Sequence, residues 1–76
     1  MNAADEMNTT VKRLHEDGLL VQGLLGYWHI PIDRLRRTKE TMAAVIKATQ
    51  WMMEEVAMGR MAIVNDREGL PAWIQI

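Results

Sequence analysis

The sequence predicts one small, mostly α-helical domain, with two short helices, one long helix and a C-terminal β-hairpin or extended tail, paired with a second copy. Three observations lead there. Glycines and prolines cut residues 1–59 into three segments, each with its own apolar periodicity. The third segment, about Ile32 to Met58, has no Gly or Pro in its interior. After Gly59 the helical period gives way to two short β-prone runs around a turn-rich stretch.

The first helix is expected from Ala3 to Asp17. Asn2 caps it, Asp5 and Glu6 suit the positive end of the helix dipole, and Met7, Val11 and Leu14 share one face. Gly18 is a natural stop, because a left-handed residue after the last turn costs glycine little. The second helix is expected from Leu19 to Trp28. Val21, Leu24, Leu25 and Trp28 have the i, i+3, i+4, i+7 spacing of a helix face, although Gly23 and Gly26 weaken it. Pro31 separates it from the third helix, which would be about 40 Å long.

That long helix is apolar on more than one side. Leu35, Met42, Val45, Met52 and Val56 form a heptad-like seam; Ile46, Met53 and Ala57 form a second row; Ala44, Ala48 and Trp51 widen the surface further. A helix apolar on most sides needs neighbours on most sides. Two short helices and a tail supply too few, so a homodimer or a larger protein partner is expected. Met42, Val45, Met52, Met53 and Val56 are the interface candidates, joined by Trp73, Ile74 and Ile76 at the apolar chain end. Seven methionines among 76 residues suit an adaptable contact surface. Residues 60–76 read either as a hairpin, Met61–Val64 and Ala72–Ile76 around Asn65–Pro71, or as an extended tail over the helices.

Composition narrows the function. With no cysteine and no serine, thiolate metal sites, disulfides and Cys or Ser nucleophiles are excluded. His15 and His29 lack ligand spacing, and Glu54 and Glu55 diverge by about 100° on a helix. No phosphate-binding glycine loop is present. The chain is therefore expected to be no enzyme, with no catalytic residue, metal, cofactor or small-molecule substrate. No stretch is long and apolar enough to span a bilayer and no secretory signal is visible, so no membrane partner and a cytoplasmic location are expected.

Charge is patterned although the net value is -1. Residues 1–33 carry a net -3, residues 34–47 a net +4 and residues 48–76 a net -2. The basic block, Arg34, Arg36, Arg37 and Lys39, follows Val21–Gln22–Gly23–Leu24–Leu25–Gly26–Tyr27–Trp28–His29–Ile30–Pro31–Ile32–Asp33. This stretch resembles the core of a helix-turn-helix DNA-binding domain. Trp28 would close the first helix, His29–Ile30–Pro31 would be the turn, and Leu35 the buried residue of the second helix. The family's small residue at the helix crossing is Leu25 here, and its turn-opening glycine is His29. The resemblance implies that Ile32–Lys39 enters the major groove and that the four basic residues contact nucleic acid.

Two functions follow as expectations. One is a small dimeric transcriptional regulator that binds duplex DNA. The other is a helical protein–protein interaction module that uses the Met-rich helix and apolar C-terminus. On the second reading the arginines form a solvated face, with Asp33–Arg37 and Arg36–Glu40 as i, i+4 pairs.

Overall fold

The computed structural model describes residues 9–76, apart from the side chain of Leu24. The expectations for Asn2, Asp5, Glu6 and Met7 lie outside the described residues. Helix α1 spans Thr9–Glu16 and buries Val11 and Leu14. It ends where Gly18, at φ +76°, turns its N–H back to the carbonyl of His15, while Leu19 N–H bonds Leu14. This pairing satisfies carbonyls that the last turn would otherwise leave open. Beyond it the chain forms a hairpin of strands β1, Val21–Gln22, and β2, Trp28–His29.

The helix expected over Leu19–Trp28 is therefore absent, and the mostly α-helical class is corrected with it. The described residues form two α-helices and one four-stranded antiparallel sheet. The spacing of Val21, Leu24, Leu25 and Trp28 is met as well by a strand, a turn and a strand. Gly23 and Gly26 disfavour the helix by roughly 1 kcal/mol each. Gly23 N–H instead closes the loop on Tyr27 carbonyl at 2.9 Å. Leu25 sits in the left-handed region at φ 68°, ψ 6°, and its side chain is 82% exposed.

The long helix also starts later than expected. Pro31 is followed by a single 3₁₀ turn over Ile32–Arg34, and Leu35 leaves it extended at φ -91°, ψ 146°. Helix α2 spans Lys39–Ala57. Its cap is Thr38, whose hydroxyl oxygen accepts the N–H of Thr41 at 3.1 Å. A threonine bound to the first free donors competes well against continuing the helix upstream. Gly59, at φ +77°, ends α2 as Gly18 ends α1: Gly59 N–H bonds Val56 and Arg60 N–H bonds Glu55.

Strands β3, Met61–Asn65, and β4, Pro71–Gln75, follow as a hairpin rather than an extended tail. Asp66 holds the connection, its carboxylate accepting the N–H groups of Glu68 and Leu70. The sheet order is β1-β2-β4-β3, so the two hairpins join through β2 and β4, where Trp28 stands opposite Trp73. Residues opposite each other share a face. Trp28, Trp73 and Met61 therefore point to the helix side, where Val11, Leu14, Leu20, Ala48 and Met52 complete the core.

Glu55 ties the layers together. Its carboxylate, 6% exposed, accepts Arg60 Nε at 2.6 Å, Arg60 Nη2 at 3.0 Å and the Thr10 hydroxyl at 3.1 Å. The hydrogen bonds from Arg60 hold the carboxyl below the usual glutamate range, against the opposing effect of burial.

Both the strained loop and the buried carboxylate can be tested by substitution. Leu25→Asn relieves the left-handed strain and should raise unfolding stability by about 1 kcal/mol, read as a higher urea midpoint at unchanged slope. Arg60→Met leaves a buried carboxylate short of donors and should cost about 2 kcal/mol at neutral pH. A carboxyl whose folded pKa is depressed stabilises the fold above its unfolded pKa and loses that effect as pH falls through the folded value. The gap between wild type and Arg60→Met should therefore close on acidification below about pH 4, measured by urea unfolding across pH.

Candidate interaction surface

Among the described residues, helix α2 meets α1 on one side and the core above the sheet on another. Its Trp51 and Glu55 side meets α1, where Arg13 lies 5.6 Å from the Trp51 ring and Thr10 bonds Glu55. Its Met52 and Val56 side packs into the core above the sheet. With about 100° per residue, Met42, Ile46, Thr49 and Met53 form a row on the flank away from α1. Ile46 is 60% and Met53 41% exposed, while Met42 and Thr49 are half-buried. Their spacing, i, i+4, i+7, i+11, is that of a helix-pairing seam.

The sheet presents a second open feature beneath that flank. Helix α2 lies over β3, and β3 is an edge strand. The bonds Ile76 N–H to Arg60 and Asp66 N–H to Leu70 bracket the β3–β4 ladder and set its phase. Even-numbered residues turn their backbone groups to β4, so those of Met61, Ile63 and Asn65 turn outward. No group of the described loops or helices bonds them there. The strand Met61-Ala62-Ile63-Val64-Asn65 carries no charge and no proline, the residues that ordinarily blunt an edge. Ile63 is half-exposed on it.

The residues expected at an interface are thereby divided. Met52 and Trp73 are inside the protomer's own core. Met42, Val45, Val56 and Ile74 are half-buried, Met53 is exposed, and Ile76 is 71% exposed. The seam expected through Val45 and Met52 faces inward, and the row one residue further along, Ile46 and Met53, takes the outer position. The backbone edge of β3 is absent from the interface expected from sequence. The apolar, uncharged run Met61–Val64 is its available signal, but a strand's place in a sheet is not written locally.

Arg34, Arg36, Arg37 and Lys39 are all exposed. The expected pairs Asp33–Arg37 and Arg36–Glu40 do not form, and Arg60–Glu55 is the ion pair among the described residues. The block lies on a 3₁₀ turn, an extended stretch and the first residue of α2, so no recognition helix carries it. His15, although exposed, has Nδ1 2.9 Å from the Leu20 carbonyl, and its ring meets Trp28 edge-on at 5.4 Å. Among the described residues no group of His, Asp or Glu is arranged to hold a metal ion. No helix among them is long and apolar enough to cross a membrane.

The division between inner and outer rows is directly measurable. Met52→Ala should lower stability by about 2–5 kcal/mol, as large-to-small changes in a core do. Met53→Ala, one residue along and facing outward, should change the stability of the isolated protomer by less than about 1 kcal/mol in the same urea titration. No family model, curated protein or solved structure matches this chain.

Proposed function

We propose that this protein is a non-enzymatic protein–protein interaction module whose contact surface is the outer row of α2 together with the free edge of β3. One observation carries the reading. The row Met42, Ile46, Thr49 and Met53 repeats at helix-pairing spacing on the flank away from α1, on a helix that packs against an uncharged edge strand. Side chains at such positions add little to the fold itself, whereas a partner that covered them would bury apolar area worth about 25 cal/mol per Å².

A photoreactive residue placed at position 46 tests this in cells that make the protein. Adducts with a protein should form from position 46 and be absent from position 47, where exposed Lys47 lies about 100° round α2, over the Trp51 ring on the side of α1. The absence of any protein adduct from position 46 would sink the reading.

A second reading is favoured by the unpaired basic block. Arg34, Arg36, Arg37 and Lys39 stand exposed with no carboxylate partner among the described residues, beside the N-terminus of a helix, where phosphate is well received. Binding to duplex DNA through these residues would be contact with phosphates, independent of sequence and weakened by salt. Fluorescence anisotropy at low salt should then show Arg36→Glu with Arg37→Glu losing about tenfold or more in affinity. Equal binding by wild type and variant, or no binding by either, rules it out.

A further inference from the structure

We propose that the occupant of this surface is a second copy of the same chain, with β3 of each copy joined antiparallel to β3 of the other about a two-fold axis at Ile63. This deepens the interaction reading and rests on it. The phase of the ladder makes the register specific. The outward backbone groups belong to Met61, Ile63 and Asn65. In an antiparallel pair centred on Ile63, Ile63 faces Ile63 of the second copy, and Met61 faces Asn65. Each of these residues then donates its N–H and offers its carbonyl across the seam.

The edge matches itself in chemistry as well as in backbone. Between the bonded pairs, Ala62 falls opposite Val64 of the second copy, small against medium and both uncharged. At each end Arg60 falls opposite Asp66, a cation facing an anion. Arg60 uses Nε and Nη2 on Glu55, and Asp66 uses Oδ1 on its own turn, so Nη1 of one and Oδ2 of the other are not engaged within the protomer. Like charges at both ends would have made the edge repel a copy of itself.

The helices extend the same seam. Because α1 occupies the opposite flank, the row of Met42, Ile46 and Met53 hangs on the side of α2 towards the free edge. A two-fold axis at Ile63 brings this row towards its own copy above the continuous eight-stranded sheet. The surface is thus isologous: one patch meets itself, and the contact closes at two copies instead of propagating. Covering the edge also removes an open template for uncontrolled strand addition.

The chain has no cysteine, which makes a single introduced thiol a clean reporter of register. Opposed Cα atoms in a bonded antiparallel pair lie about 5.5 Å apart, within the range that a disulfide spans. Ile63→Cys should therefore crosslink to a dimer on mild oxidation. Asn65→Cys, which this register places about 14 Å from its counterpart, should not. Sedimentation equilibrium of the full chain should give twice the 8.7 kDa protomer mass. Ile63→Pro, which removes an N–H that the protomer does not use, should give a monomer with an unchanged far-ultraviolet spectrum. If that variant fails to fold, the two cysteine variants decide. A wild-type dimer for which Asn65→Cys crosslinks and Ile63→Cys does not overturns the proposed register. A wild-type monomer at all concentrations overturns self-pairing: if position 46 still gives adducts with another protein, the interaction reading stands, and if it gives none, both fall.

Discussion

Burial of Trp73 is the constraint on which the other elements depend. A chain of this length with no phenylalanine and no disulfide has few large side chains with which to build a core. Trp73 is almost fully buried, and it stands on the strand that joins both hairpins. Across the sheet it faces Trp28, and above it lie residues of α1 and α2. Remove the hairpin at the chain end, and β2 loses its inner neighbour while both helices lose the surface on which they rest. The N-terminal hairpin is only two paired residues deep and would be marginal alone; its pairing to β4 gives it a place.

Glu55 and Arg60 set the angle at which the long helix hands over to the sheet. The glycine turn after α2 reverses the chain, and Arg60 then reaches back with two nitrogens to a carboxylate five residues earlier. The same carboxylate takes the hydroxyl of Thr10 from α1. A buried charge is tolerated there because its oxygens are met by donors from two elements. The outcome is a helix clamped to α1 on one flank and laid over β3, with Ile46 and Met53 exposed on the opposite flank. The exposure of the outer row, Ile46 and Met53, follows from the same clamp.

Several elements are legible locally. The stops at Gly18 and Gly59, the continuity of the helix through Lys39–Ala57 and the turn around Asp66 each rest on chemistry within a few residues. The start of α2 at Thr38 is legible too, through a threonine followed by helix formers, but the apolar pattern draws the expected boundary back to Ile32. The segment Leu19–Trp28 misleads for a plain reason. Four apolar residues at helix spacing also fit two short strands around a turn, and the glycines at 23 and 26 together with β4 as a neighbour favour the strands. The basic block keeps its exposure and loses its helix, so contact with DNA would rest on charge rather than on a recognition helix.

The sequence by itself determined which residues are apolar, the glycine stops after both helices and the continuity of α2 through Lys39–Ala57. These depend on side-chain chemistry and on glycine's conformational range, which act over a turn or two. The tertiary structure alone decided which side of α2 turns inward. Adjacent rows on a helix differ by about 100°, and either Val45 with Met52 or Ile46 with Met53 could have faced the core. Placement of α1 and of the β3–β4 hairpin chose the first and left the second outside. It also made β3 an edge, because strand order arises from contacts far apart in the chain, and no local pattern encodes them.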